Sequence, residues 1–219
     1  MVLEEQSKKR WDEIFRDEEK SKIILSGIQE GIAEFAEICK KNKFKRILDL
    51  ACGSGRHILY LAELGFEVYG LDFSNEGIKK AKSQLIEKKL HAELFVNSMY
   101  KKFPFTDNFF DAIICIRAIH HNTISKIRIA IKEIERVLKP NGLILITVPK
   151  KKSKKEVPKE RRFGIKYIAP RTYIILGGEE KGVPHYSFNK TLLYKEFRNF
   201  EILKIWIDKL HHYCFIGKL

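Results

Sequence analysis

The sequence contains no stretch of about 18 uncharged apolar residues, which excludes an ordinary membrane-spanning helix. Its opening MVLEEQSKKRWDEIF carries charges where a secretory signal needs an apolar block, so a soluble, cytoplasmic protein with no membrane partner is expected. Cysteine is sparse. Cys39, Cys52, Cys115 and Cys214 form no CxxC pair and have no histidine at ligand spacing, which argues against a zinc module and for reduced, buried thiols. Glutamine is rare while lysine, glutamate and isoleucine abound, a composition shared by many heat-adapted proteins.

What is present is charge of one sign. The formal net charge is +14, and residues 150–166 hold nine Lys/Arg against two Glu, half of the total. Such a run either gathers anions such as phosphates or is a solvated loop. With 219 residues and 44% hydrophobic content, one core is affordable and two ordinary enzyme domains are not. The expectation is a single domain of N-terminal helices (1–43), a core (44–148), a basic insertion or lid (149–190), and a final helix with a C-terminal hairpin (191–219).

Strand and helix patterns alternate through the core. Ile24, Ile28, Ile32, Phe35 and Cys39 recur every three or four residues and predict one helix over 22–40. Trp11, Ile14 and Phe15 predict a shorter helix before it. The run ILDLA ends in Gly-Ser-Gly, the pattern of a buried parallel strand entering a turn. Residues 66–71, 92–96, 111–116 and 143–148 read as four further strands, with Ser74 as the N-cap of one intervening helix and residues 139–142 (KPNG) as a turn. Helices between strands require parallel crossovers, so the class is α/β, doubly wound. After Val148 the alternation stops for about forty residues, too long for a plain connection. A helix near 191–198 and strands at 201–207 and 213–217 close the chain, the strands pairing as a hairpin at one end of the sheet.

In such a sheet the ligand sits beyond the carboxyl ends of the strands, where the order reverses. The first strand ends at Asp49, and Gly53 and Gly55 let the backbone turn against a ligand. Asp72 ends the second strand 17 residues beyond Gly55, where a carboxylate accepts both ribose hydroxyls of an adenosine. A dinucleotide fingerprint would place a third glycine at position 58, which is Ile58. Asp49 also repels a diphosphate and attracts an ammonium or sulfonium.

With these residues in place, ILDLACGSGRH, VYGLDFS, FDAIICIRAIHH and IERVLKPNGLILI, spanning 46–148, resemble in order and spacing the motifs of the class I S-adenosylmethionine (AdoMet, S-adenosyl-L-methionine) dependent methyltransferases. The resemblance implies a Rossmann-like seven-stranded sheet, mostly parallel with an antiparallel last strand, to which the break in alternation after Val148 adds an insertion after the fifth strand. It implies that Asp49, Gly53 and Gly55, with Ala51, Cys52 and Ser54 of the same turn, surround the methionine moiety. Asp72, with Phe73 beside it, would hold the ribose, and Ile116, Arg117 and Ala118 would line the other side. Where the family places an aspartate that reads adenine, this chain has Asn97-Ser98-Met99; Ser98 or a backbone group, with Met99, would take its place.

Methyl transfer from a sulfonium is an in-line displacement that needs alignment more than acid or base. His120 and His121 follow the fourth strand on the ligand side, so either contacts the substrate or caps the turn, with His121 the favoured chemical group. Trp11 closes the pocket or packs in the core. His185, Tyr186 and Phe188, after a glycine-rich stretch, form a flap or anchor the insertion. Ile-Arg-Ala-Ile replaces the (Asp/Asn)-Pro-Pro-(Tyr/Phe) of the DNA and glutamine N-methyltransferases, which argues against DNA. Three functions remain open: a small-molecule methyltransferase, an RNA methyltransferase gripping phosphates with 150–166, and a non-catalytic AdoMet-binding protein. Oligomeric state is not set by the sequence.

Overall fold

The computed structural model describes residues 2–25, 27–150 and 164–219. Residues 151–163 of the basic segment, and the side chain of Ile24, lie outside the described part. Seven strands form the central sheet: β1 (Arg46–Leu50), β2 (Glu67–Asp72), β3 (Glu93–Val96), β4 (Phe110–Ile116), β5 (Leu138–Pro149), β9 (Glu201–Ile207) and β10 (His212–Lys218). Their order is β3-β2-β1-β4-β5-β10-β9. The ladder from β3 to β5 is parallel, and β10 runs antiparallel to both β5 and β9.

The strands read as continuous apolar runs because both faces are covered. Alternate residues point to opposite faces. Ile47, Ala112, Ile114, Leu143 and Leu145 join one buried cluster with α3 (Ile32–Lys41), α4 (Arg56–Glu63) and α5 (Asn75–Glu87). Leu48, Ile113, Cys115, Ile144 and Ile146 join the other, with α6 (Ile124–Val137) and residues around α7 (Lys190–Glu196). Each such side chain contributes about 1.5–3 kcal/mol of burial. From β1 the chain winds outward through β2 and β3, then returns to lay β4 on the other side of β1. The crevice at the carboxyl ends of β1 and β4 is therefore the ligand position of the fold.

Four sequence expectations are corrected. The stripe at 22–40 is not one helix: α2 (Glu18–Leu25) ends before Gly27, and α3 starts after Gly31. Gly31 has φ 91°, and a Cβ there would stand 2.4 Å from the Trp206 ring, so neither a helical turn nor a side chain fits. Ile28, counted in the stripe, is exposed. The N-terminal helix α1 (Val2–Arg16) is not short; with 15 residues it is the longest described helix. The KPNG turn is a kink inside β5. Asn141 sits at φ 65° and the β4–β5 register slips there, while Asn141 N–H donates to Leu219 O at 2.9 Å.

The insertion folds into its own antiparallel sheet of β6 (Ile165–Ala169), β7 (Thr172–Ile175) and β8 (Pro184–Tyr186). It is tied to the main body where Tyr186 N–H donates to His120 O at 2.7 Å. The C-terminal hairpin lies at one end of the main sheet, as the spacing predicts. Among the described residues no helix is long and apolar enough to cross a membrane, and the four cysteines are buried and unbridged.

Candidate functional site

At the end of β1 the chain reverses through three left-handed residues, Ala51 (φ 62°), Gly53 (φ 54°) and Gly55 (φ 87°), the last of which caps α4. Ala51 N–H donates to Leu71 O at 2.7 Å, which pins the turn to β2. Phe15 of α1 lies over Gly53, where a Cβ would come within 2.8 Å of its ring.

Two buried carboxylates flank this turn. Asp72 Oδ2 accepts from Gly53 N–H and its Oδ1 from Ser74 N–H, both at 2.8 Å, so one side chain ties the two turns together. Burial raises its pKa to about 6 against the pull of those N–H groups. Each oxygen retains a second lone pair for a ligand hydroxyl. Asp49 lies beneath the turn at 1% exposure, and its Oδ2 has no hydrogen-bond partner. Burial pushes its pKa to about 7, with Arg56 pulling down and Asp72 pushing up. His57 is near, with Nδ1 4.0 Å from Asp49 Oδ2, but this is not an ion pair. Burial holds His57 neutral, and its Nε2 accepts from Gln29 N–H at 3.3 Å.

Ser74 accepts from Gly77 N–H as the N-cap of α5 and donates its Oγ–H to Asp12 at 2.5 Å, which docks α1 beside the turn. Beyond β3, Ser98 Oγ accepts from Tyr100 N–H at 3.1 Å, and Asn97, on the cavity wall, donates its side-chain amide to Lys102 O at 3.1 Å. Beyond β4, Arg117 is left-handed (φ 54°), its N–H held by Thr147 Oγ1 at 2.8 Å.

His120 and His121 follow, their rings 4.1 Å apart, and His185 of β8 approaches them to 5.6 and 4.7 Å. The Nδ1 atoms of His120 and His121 are buried without a partner. Burial, reinforced by the neighbouring histidines, depresses both pKa values, that of His121 to about 3. His185 differs. Val183 O accepts from its Nδ1 at 2.9 Å, and Glu180 Oε2 lies 2.8 Å from its Nε2. Burial acts to raise the Glu180 carboxyl, but the hydrogen bond from His185 and the electrostatic pull of the neighbouring histidines and Arg117 bring it down to about 2.

One cavity of about 310 Å³, within the range of small-ligand sites, joins these parts. Its wall includes Trp11, Ala51, Cys52, Gly53, Ser54, Asp72, Phe73, Ser98, Met99, Ile116, Arg117, Ala118, His120, His121 and His185.

Residues 47–142 match the family model described as a methyltransferase domain. This segment is a methyltransferase domain of the class I type. The chain is 33% identical over 104 residues to a demethylmenaquinone methyltransferase of Geobacillus stearothermophilus, a match covering 46% of this chain and 44% of that one. It is 35% identical over 103 residues to a probable tRNA methyltransferase 9B of Bos taurus, covering 47% and 21%. The chain spans about half the length, or less, of the curated relatives it matches. In fold it is similar to the PH0226 protein of Pyrococcus horikoshii OT3, with a TM-score of 0.69 and 25% identity over 87% of this chain and 92% of that one.

Four residues that the sequence assigns to the site do not line the cavity. Asp49 and Gly55 stand behind its wall, one charging the turn from below and the other starting α4. Tyr186 and Phe188 are not a flap; their rings pack edge to face at 4.9 Å within the core cluster. Side chains alternate along a strand, so His185 emerges on the cavity side while Tyr186 anchors β8. Sequence reasoning missed Phe15, Arg56, His57, Tyr173 and Glu180, which all line the cavity. Neither Glu180 nor Tyr173 carried a sequence signal.

Proposed function

We propose that this protein is an AdoMet-dependent methyltransferase acting on a small molecule held at the histidine end of the cavity. The residues present fit the cofactor. Asp49 Oδ2 is buried without a hydrogen-bond partner, and a cationic ligand beside the turn adds to the offset that Arg56 gives it, whereas a diphosphate would add to the charge of two carboxylates. AdoMet, when bound, supplies an electrophilic methyl on a sulfonium whose leaving group is a neutral thioether.

The chain itself supplies position and dryness. Asp72 would hold the ribose hydroxyls, the turn at residues 51–55 the methionine end, and Ser98 with Met99 the adenine. Ile116, Arg117 and Ala118 form the opposite wall. Trp11, tilted against His121 with ring centroids 5.5 Å apart, and Tyr173, stacked 5.6 Å from His185, exclude water at the acceptor end. His121 and His120 present unpartnered ring nitrogens to the acceptor.

The observation that carries the small-molecule reading is that α1 and the insertion sheet wall this end. Arg10 of α1 donates to the carbonyl oxygens of Glu179 and Gly178 at 2.6 and 3.2 Å, joining the two walls. A second reading, RNA as acceptor, is favoured by the +7 of residues 150–166 and by the tRNA methyltransferase relative. The test is calorimetry with AdoMet, followed by transfer of a labelled methyl group to separated metabolite and RNA fractions. Asp72→Ala is expected to abolish AdoMet binding. Unchanged affinity would refute the cofactor site, label in RNA alone would refute the small-molecule acceptor, and AdoMet bound without release of S-adenosylhomocysteine would refute catalysis.

A further inference from the structure

Two buried imidazole nitrogens without a partner are unusual, because buried polar atoms are nearly always satisfied. Here His120 Nδ1 and His121 Nδ1 are both unsatisfied, in rings 4.1 Å apart. Packing accounts for the rings but not for two bare lone pairs. We infer that His120, His121 and His185 bind one divalent transition-metal ion of the zinc class at the acceptor end of the cavity. This goes beyond the methyltransferase reading and does not depend on it.

The geometry is close to a site. One ligand nitrogen from each ring lies within 4.8 Å of the others. Around an ion with Zn–N bonds of about 2.1 Å, tetrahedral ligands stand roughly 3.4 Å apart. Small side-chain rotations close the difference. Three imidazoles, without thiolate or an oxygen cage, select zinc, cobalt, nickel or iron over magnesium and calcium.

His185 brings a carboxylate with it. With Nδ1 engaged by Val183 O, Nε2 is the nitrogen that turns from Glu180 Oε2, 2.8 Å away, to the ion. The Glu180 carboxylate remains beside the ion. That charge opposes Arg117, whose field reaches both His120 and His121 and disfavours a cation. Three protein ligands leave a fourth position for water or an acceptor oxygen, as in open zinc sites.

The test uses the full chain without an affinity tag, stripped of metal with a chelator. It is titrated with Co²⁺, followed by visible d–d absorption, and with Zn²⁺ by calorimetry. The expected result is one ion per chain, with His121→Asn and His185→Asn each weakening affinity by at least about tenfold. His91→Asn, exposed on the far surface, is expected to change nothing. If a variant does not fold, ring-nitrogen NMR of the ¹⁵N-histidine-labelled wild type decides, since three buried rings must shift with Zn²⁺. No binding, binding that persists unchanged in both variants, or shifts confined to other histidines would each overturn the site.

Discussion

A buried carboxylate with one oxygen, Oδ2, lacking a hydrogen-bond partner makes Asp49 the residue whose charge depends on what is bound. Its folded pKa of about 7 exceeds that of an unfolded aspartate, so the ligand-free folded protein binds more protons than the unfolded chain between about pH 4 and pH 7. Stability of the ligand-free protein therefore falls as pH rises through that window, and Asp72, raised to about 6, adds in the same direction. A cationic ligand favours the ionised form. AdoMet affinity is then expected to rise with pH up to about 7, by roughly tenfold for each pKa unit that binding removes. Calorimetry in buffers of different ionisation enthalpy reads the released proton, and Asp49→Asn should abolish most of that release. An unchanged pH slope in the variant would place the proton elsewhere. Ala51 offers a second residue-scale prediction. It occupies the left-handed region at φ 62°, so Ala51→Gly should stabilise the protein by roughly 0.5–1 kcal/mol in chemical denaturation. Both residues were legible because a strand end followed by small residues fixes their place. Glu180 and Tyr173 were not, because they reach the cavity through pairing within the insertion, where no fixed spacing links them to the core motifs.

Among the elements, α1 has the strongest influence on the site relative to its sequence signal. Only Trp11, Ile14 and Phe15 marked it, yet its 15 residues place Phe15 over Gly53, Arg10 on the insertion and Asp12 on the N-terminus of α5. Asp12 Oδ1 accepts from Ser74 Oγ and from Glu76 N–H at 3.2 Å, a carboxylate at the positive end of a helix. Asp12→Ala is expected to lower stability by about 1–2 kcal/mol and to weaken AdoMet binding as α1 loosens. Denaturant melts with and without AdoMet check both effects, and a variant equal to wild type in both would remove α1 from the cofactor site. The parallel strands were readable from continuous apolar runs and the hairpin from spacing. The single helix expected at 22–40 failed because periodicity is blind to backbone handedness: Gly27 and Gly31 both adopt positive φ, and the stripe continues across a break.

For the whole molecule the open choice is between an acceptor that enters the cavity and one that grips the surface. The sheet order places the cofactor turn and the histidines at the same crevice, a consequence of β4 returning beside β1. The net charge of +14 bears on the choice through salt. A polyanion held by six to ten phosphate contacts loses roughly 10³–10⁵-fold in affinity between about 50 and 200 mM salt. A small acceptor enclosed by Trp11, Tyr173 and the histidines interacts at short range, where screening over a Debye length of about 10 Å has little effect. The acceptor's KM is therefore expected to vary by less than about threefold over that range. Neutralising Lys150, Lys151, Lys152, Lys154 and Lys155 to glutamine should leave it within the same limits. A steep salt slope that flattens in the neutralised variant would instead assign the basic segment to an RNA acceptor.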